Sequence, residues 1–232
     1  LNQLYSDAYT DEDRNAMFSF YRKNFEDQLP STAFRPHLNS PMAGRRLNIA
    51  YVSGDFRRHS VSYFLENLFQ FHNKEQFKLF FYHNSDYFDS TTERYKRKFA
   101  DEWRNIFGLS SEVVAELARD DEIDILIDLS GHTKNNMLPA FARKPAPVQV
   151  TWLGYPDTTG LNNIDYQIVD PIIMNSNVSF GTETKWPLEG PFCTYTPFVH
   201  NPERHNMLMY QPKAPPALEN GYVTFGCASN LA

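Results

Sequence analysis

The 232-residue sequence predicts an α/β fold, a Rossmann-like, doubly wound parallel sheet covered by helices on both faces. Apolar segments of strand length, such as 47–53 and 123–129, alternate with segments whose apolar residues recur at helical spacing. Strands that are apolar on both faces are typical of buried parallel sheets. Because crossovers in such sheets are right-handed, double winding is the simplest topology.

The first half of the chain alternates between helix and strand. Residues 11–27, rich in acidic and aromatic side chains, predict a helix that packs on another part of the protein. The continuous apolar segment 47–53 predicts a strand. Residues 61–71 predict a helix because their apolar side chains have helical spacing, and 77–82 (FKLFFY) predicts a second strand.

The second half continues this alternation. We expect a charged helix at 92–103, a short strand at 106–107, and a helix at 110–119 that Ser110 caps. The remaining elements are predicted as a short helix at 137–143 and strands at 123–129, 148–153 and 166–169. The strand at 166–169 is expected to be the last of the sheet.

The composition argues against several classes of protein. A net charge of -6 does not suit an extended nucleic-acid surface, which needs clustered Lys and Arg. Two cysteines, Cys193 and Cys227, are too few for a disulfide framework or a four-thiolate zinc site. No apolar run approaches the roughly 20 residues of a membrane helix. We expect a soluble, cytoplasmic protein with no nucleic-acid or membrane partner.

Common nucleotide and hydrolase motifs are absent from the sequence. The first strand-to-helix turn has one glycine where a dinucleotide fingerprint needs three. Neither a GxxxxGK(S/T) phosphate loop nor a GxSxG elbow occurs. A dehydrogenase, a P-loop NTPase and an α/β-hydrolase therefore fit poorly.

Polar, glycine-containing loops follow three of the predicted strands, at 54–60, 130–134 and 154–160. Ligands of open parallel sheets bind beyond the carboxyl ends of the strands, so we expect these loops to meet at one edge. His59 precedes a predicted helix, whose positive end disfavours imidazolium and keeps the ring neutral near pH 7. Asp55, in the same turn, is placed to orient that ring or to take a proton.

Each of these residues also has a plainer interpretation. His59 would serve only to cap its helix, and Asp55 would pair with Arg57 or Arg58. His132, in the second loop, would be a hydrogen-bonded surface residue. From the residues alone, the catalytic and the plainer interpretations both stay open.

Three segments resemble a known family when they are taken together. They are IAYVSGDFRRHSVSYFLE at 49–66, DILIDLSGHTKNNMLPAFARKPAPVQVTWLGYPDTTG at 124–160, and YVTFGCASNLA at 222–232. They are similar to the catalytic region of the O-GlcNAc transferase and SPINDLY group, glycosyltransferase family 41, in its bacterial form. That resemblance implies the GT-B arrangement of two facing Rossmann-like lobes, commonly preceded by tetratricopeptide repeats.

The resemblance implies a division of the chain into four parts. Residues 1–45 would be a helical connector to upstream repeats, and 46–186 the first catalytic lobe. Residues 187–220 would be a Pro-rich extended segment, and 221–232 the truncated start of the second, nucleotide-binding lobe. Because that second lobe holds most of the uridine diphosphate in the family, we expect this chain to be inactive alone.

The resemblance also implies an activity. The expected reaction is inverting transfer of a hexose, GlcNAc by preference, from a UDP-sugar to Ser or Thr of a protein or peptide, without metal or other cofactor. Asp55 and His59 match the residues considered for acid–base duty. A second set matches the donor-sugar loop, namely Leu153, Gly154, Tyr155 and Pro156. A third matches a loop on the acceptor side, namely His132, Thr133 and Lys134.

Other functions remain open at this stage. A non-catalytic lobe that binds a sugar nucleotide or a peptide has the same motifs, and a scaffold would have its function in upstream repeats. A related transferase would use glucose or fucose as the donor sugar, or asparagine as the acceptor. Tyr21 stands roughly where the family has a connector histidine, and Ser60 where it usually has proline.

Overall fold

The computed structural model describes residues 10–175, 181–195 and 214–226. Seven strands form one sheet there: β1 Leu47–Ser53, β2 Phe77–His83, β3 Glu102–Asn105, β4 Ile125–Asp128, β5 Val148–Thr151, β6 Tyr166–Val169 and β7 Thr184–Pro187. Every neighbouring pair is parallel, in the order β3-β2-β1-β4-β5-β6-β7. The winding reverses between β1 and β4, as in Rossmann-like folds, so the predicted fold class is confirmed.

The helices of the described residues are α1 Asp11–Phe25, α2 Ser60–Phe71, α3 Ser90–Lys98, α4 Ser111–Asp120, α5 Leu138–Phe141, α6 Pro171–Asn175 and α7 Pro216–Asn220. A single 3₁₀ turn follows α1 at Ser31–Ala33. Side chains of Thr10, His59, Asp89 and Ser110 accept backbone N–H groups at the starts of the first four helices. These caps satisfy donors that a helix leaves without a partner, and the predicted role of Ser110 is confirmed.

The sheet is buried on both faces, as its apolar strands predict. Adjacent residues of β1 enter opposite hydrophobic clusters, Ile49 on one face and Ala50 on the other. The cluster around Ile49 is rich in aromatic rings; the centroids of Phe69 and Phe81, for example, lie 4.7 Å apart. Because both faces of the sheet are covered, its accessible parts are the edge strands and the ends of the strands.

The edge strand β3 differs from the prediction. The helix expected at 92–103 is shorter, and the strand expected at 106–107 lies at Glu102–Asn105. The chain turns at Asp101, whose carboxylate accepts the backbone N–H of Leu79 at 2.8 Å. Charged residues are usual in an edge strand, so β3 lacks the apolar pattern on which the prediction depended.

The prediction also lacks the 3₁₀ turn, α6, β7 and α7. Strand β7 extends the sheet beyond β6, so the expectation that 166–169 closes the sheet is wrong. Most of β7 is exposed at the sheet edge, although Trp186 contacts the Tyr166 ring at a centroid distance of 5.1 Å. Helix α7 lies within 187–220, a segment expected to be extended, and its first residue is proline, which the first helical turn tolerates. The chain divides into two units, 1–195 and 196–232; the sheet belongs to the first and α7 to the second.

A buried carboxylate joins the chain preceding β1 to the amino end of the sheet. Asp124 accepts hydrogen bonds from the Asn48 backbone N–H at 2.9 Å, from the Asn39 side chain at 2.8 Å, and from two nitrogens of Arg45. Burial acts to raise the pKa of Asp124, but these donors outweigh it and hold the pKa below its usual value. The carboxylate therefore remains ionised and fixes residues 39–45 against β1 and β4.

The loops at the opposite, carboxyl edge pack directly on one another. A Cβ atom at Gly154 would overlap the backbone carbonyl of Leu129, and one at Gly131 would overlap the Tyr155 side chain. One at Gly54 would lie 2.8 Å from Cβ of Asn135. The three loops are therefore in contact at glycine positions where no larger side chain fits.

We expect Gly154→Ala to lower the free energy of unfolding by about 2 kcal/mol or more, because the new methyl group meets backbone that cannot yield. Urea denaturation measures this loss. Gly190→Ala is the matched control, since a Cβ there meets nothing within 4 Å. Equal stability of the two variants would contradict the close contact between the loops.

Candidate active site

The three polar loops singled out in the sequence lie along one edge of the sheet. They follow β1, β4 and β5, which are neighbours in the order β1-β4-β5 and run parallel. Their carboxyl ends therefore open on the same side. The loop after β2 joins them, because the Asn84 side chain donates to the backbone carbonyl of Asn135 at 3.0 Å.

Asp55 and His59 lie side by side at the start of α2. Oδ2 of Asp55 is 3.6 Å from Nδ1 of His59, and Oδ1 accepts from Nη2 of Arg57 at 3.1 Å. Nδ1 of His59 also accepts the backbone N–H of Val61 at 3.3 Å. Both plainer interpretations are thus present, since His59 caps its helix and Asp55 pairs with Arg57.

The cap determines which nitrogen of the His59 ring carries the proton. A neutral imidazole has one N–H and one lone pair, and the lone pair on Nδ1 is engaged by Val61. In a neutral ring with this bond, the hydrogen is on Nε2, where His59 can donate a hydrogen bond. The Asp55 carboxylate lies on the Nδ1 side of this ring, and 15% of its side chain is exposed.

The loop after β1 is held by the beginning of α3. The backbone N–H of Arg58 donates to Oδ2 of Asp89 at 2.7 Å, and Oδ1 of the same carboxylate caps α3. His83, the last residue of β2, is fully buried, with Nε2 3.3 Å from the Tyr87 carbonyl oxygen. Burial lowers the pKa of His83, so the ring is neutral. Only its place at a strand end could have drawn attention to it.

Asp128, at the end of β4, organises the loop that follows. It is fully buried, and its carboxylate accepts the backbone N–H groups of Ser130 at 3.1 Å and Gly131 at 2.8 Å. The hydroxyl of Thr151 in β5 donates to it at 2.8 Å. Burial raises the pKa of Asp128 to about 6, although these hydrogen bonds act to lower it. The sequence interpretation assigned this residue no role.

His132 is buried and not a surface residue, with 4% of its area exposed. Its ring stacks on Tyr21 at a centroid distance of 3.9 Å and meets Tyr155 edge-on at 5.3 Å. Nε2 lies 2.8 Å from the carbonyl oxygen of Thr159, to which it donates. Burial lowers the pKa of His132, which keeps the ring neutral. Its neighbour Lys134 is exposed.

Helix α1 packs against the same edge at three points. Besides the stack of Tyr21 on His132, Phe18 is buried where a Cβ of Gly160 would lie 2.9 Å from its own Cβ. The Glu26 carboxylate accepts the backbone N–H of Asn162 at 2.8 Å. Burial raises the pKa of Glu26. The first helix is thus part of the wall behind the loops.

The loop after β5 presents some of its residues and buries others. Leu153 has a positive φ of 72°, a strained conformation for a side chain of its size. Gly154 is half-buried, Pro156 is exposed, and Tyr155 is buried against His132.

The rest of that loop is held by Glu183, the residue before β7. The Glu183 carboxylate accepts the backbone N–H of Thr159 at 2.7 Å and the hydroxyls of Thr158 and Thr159. This carboxylate lies far along the chain from the loop, and the sequence interpretation did not identify it.

Two properties of the described residues bear on ligands. Within residues 10–175, 181–195 and 214–226, no three His, Cys, Asp or Glu side chains are grouped so as to hold a metal ion. No helix in those ranges has the length and apolarity to span a bilayer.

Comparison with known proteins agrees with this geometry. The sequence pattern of Glycosyl transferase family 41 matches residues 26–185, which include all the loops just described. A solved structure of a Thermobaculum terrenum O-GlcNAc transferase mutant has a TM-score of 0.75 and 34% identity to this chain. The match covers 82% of this chain and 36% of that one.

Curated relatives give the same result over a smaller share of their own length. A probable UDP-N-acetylglucosamine–peptide N-acetylglucosaminyltransferase SPINDLY of Hordeum vulgare is 43% identical over 84% of this chain and 20% of the relative. A UDP-N-acetylglucosamine–peptide N-acetylglucosaminyltransferase of Caenorhabditis elegans is 37% identical over 56% of this chain and 11% of the relative. The chain thus spans a fifth or less of the length of these relatives. The match to residues 26–185, more than half of the sequence, shows that the chain belongs to glycosyltransferase family 41.

Proposed function

We propose that this chain forms the first catalytic lobe of an inverting protein glycosyltransferase, which transfers GlcNAc from UDP-GlcNAc to Ser or Thr of a protein or peptide. The supporting observation is the shared sheet edge, where the Asp55–His59 pair and the loop 153–156 lie within the family match. The named relatives act on peptides with UDP-N-acetylglucosamine. We extend that activity to this chain as a proposal.

The proposed division of labour needs a second lobe. In this proposal residues 1–45 are the connector, 46–186 the first lobe, 187–220 the link, and 221–232 the start of the nucleotide-binding lobe. Hexose transfer requires the leaving diphosphate to be stabilised as negative charge develops on it. Because that task falls to the second lobe, we expect no turnover by residues 1–232 alone.

The proposed reaction is a single displacement at the anomeric carbon. The acceptor hydroxyl oxygen forms a bond to that carbon as the bond to the diphosphate oxygen breaks, and the hydroxyl proton passes to a base. The tautomer of His59 makes Nε2 a donor, suited to a sugar or phosphate oxygen. Asp55 is the nearby proton acceptor, and its pairing with Arg57 orients the carboxylate.

Exposure divides the proposed binding residues into two groups. Leu153, Gly154 and Pro156 are exposed or half-buried, and we assign them to contact with the donor sugar. Thr133 and Lys134 are likewise accessible and are assigned to the acceptor side.

The other two proposed binding residues lie beneath this surface. Tyr155 and His132 are 6% and 4% exposed, so their proposed part is to support the contacting residues from below.

One specific observation supports a second candidate, a lobe that binds a sugar nucleotide or peptide without reaction. Most of the contacts described for Asp55 and His59 are structural: the Asp55 N–H donates to the Ser53 hydroxyl, the Asp55 carboxylate pairs with Arg57, and His59 caps α2. If these are the only roles of the two side chains, removing the imidazole costs stability and nothing else. A transferase that uses glucose or fucose as the donor sugar, or asparagine as the acceptor, is a variant of the first candidate.

Two substitutions in the full-length protein can separate the proposed catalytic role of His59 from its role as the cap of α2. His59→Ala removes both the cap and the imidazole. We expect it to lower the free energy of unfolding by about 1 kcal/mol and the transfer rate by about 100-fold or more. His59→Asn restores a cap, because asparagine is among the best N-cap residues, and should restore stability only. Transfer of radiolabelled GlcNAc to a peptide pool measures activity. Full activity of His59→Asn would reduce the histidine to a cap.

We also propose that transfer needs no metal and takes place in the cytoplasm. The transfer rate of the full-length protein should then stay within about twofold when EDTA exceeds all divalent cations, since the diphosphate is stabilised by protein groups. Restoration by added Mg²⁺ or Mn²⁺ after such treatment would refute metal independence. A metal-dependent sugar-nucleotide transferase assayed in parallel is the positive control.

A further inference from the structure

We propose that Asp128 is a positioning residue of this site, whose ionised carboxylate holds the loop after β4 against the loop after β5. Its effect on catalysis rests on the proposed function, whereas its effect on the loops does not. The site's geometry would then depend on the charge of a group that touches no substrate.

The contacts of Asp128 link the loop after β4 to the last residue of β5 through one side chain. Oδ1 accepts from the Ser130 backbone, and Oδ2 accepts from both Gly131 and the Thr151 hydroxyl. Among the described ion pairs none involves Asp128, in contrast to Asp124 at the other end of β4, which pairs with Arg45. Its negative charge is therefore stabilised by dipoles of the loop itself.

The turn that Asp128 fixes is the one on which the neighbouring loop packs. Gly131, with φ of 52°, lies against Tyr155, and Gly154 lies against the carbonyl of Leu129. A change in the direction of the Ser130–Gly131 amides therefore shifts the surface on which Tyr155 and Gly154 rest. The proposed donor loop follows the turn because no space separates them.

Protonation of Asp128 has a defined effect on these contacts. A neutral carboxyl group accepts hydrogen bonds more weakly than a carboxylate, so protonation weakens the bonds from the Ser130 and Gly131 amides, which cannot reverse direction as the Thr151 hydroxyl can. The charged group facing Asp128 is Glu183, which favours protonation, while Thr151, Ser130 and Gly131 oppose it. His132 on the same turn is neutral because burial lowers its pKa. With a pKa of about 6, Asp128 changes charge at mildly acidic pH.

Stability and loop order should respond to pH in opposite directions. The folded-state pKa lies above the usual 3.8, so the folded protein binds more protons than the unfolded chain between these values. As pH falls through about 6, this group therefore adds to global stability. The hydrogen bonds that hold the turn nevertheless weaken in the same range. A residue with only a structural role would make both quantities change together.

Hydrogen exchange of the chain itself tests the loop. The measured quantity is the protection of segments 129–137 and 151–160 relative to β1. We expect this ratio to fall about tenfold between about pH 7.5 and about pH 5, with a midpoint near 6. Asp128→Asn should have the low ratio at both pH values, because an amide cannot accept all three hydrogen bonds. A ratio that is independent of pH in the wild type would overturn the proposal.

Asp124→Asn is the matched control, because it neutralises a buried carboxylate at the opposite end of the same strand. It should lower global stability and leave the protection ratio and its pH dependence unchanged. If Asp124→Asn lowers the protection of 129–137 as much as Asp128→Asn does, the effect is not specific to the carboxyl end of β4 and the proposal fails.

Thr151 provides a second, milder test should Asp128→Asn fold poorly. Thr151→Val removes a donor that lowers the pKa of Asp128, so the midpoint should move to higher pH, whereas Thr151→Ser should keep it. In the full-length enzyme the acidic limb of kcat/KM should move with it. A uniform loss at every pH would overturn the positioning role. If the wild type transfers no sugar while the exchange midpoint shifts as expected, the proposed function fails and the loop inference stands.

Discussion

The contact between the loops after β4 and β5 is the constraint on which the candidate site depends. At Gly154 the backbone of one loop lies against the Leu129 carbonyl of the other, and at Gly131 the reverse contact is made with Tyr155. Neither contact leaves room for a methyl group, so the two loops pack directly on each other. The buried carboxylate of Asp128 then fixes the first loop to the end of β5, and the buried carboxylate of Glu183, the residue before β7, holds the second loop.

His59 shows how one side chain can serve the fold and the chemistry together. Capping α2 engages Nδ1, so that a neutral ring carries its hydrogen on Nε2 and can donate there. Asp55, 3.6 Å away, is held by Arg57. The capping and catalytic interpretations of His59 are therefore compatible, since the cap prepares the ring for a donor role.

The sequence predicted the parts of this structure that follow from local pattern. Apolar strands alternating with amphipathic helices gave the sheet, and the common direction of parallel strands brought the loops of Asp55, His132 and Gly154 to one edge. The charged edge strands were misplaced or missed because edge residues lack that pattern. The burial of His132 depends on Tyr21 in a distant helix, which no local spacing reveals. Asp128 looks like Asp124 in the sequence, although they anchor opposite ends of β4.

Because α1 packs against the loops after β4 and β5, a fragment that keeps the structure of these loops has to include α1. Truncation at residue 46 would remove Phe18 from its contact with Gly160, the Tyr21 ring from its stack on His132, and the Glu26 carboxylate from the Asn162 amide. Helix α1 is therefore an integral layer of the same unit as the sheet, and a boundary drawn at the first strand would remove part of the support of the candidate site.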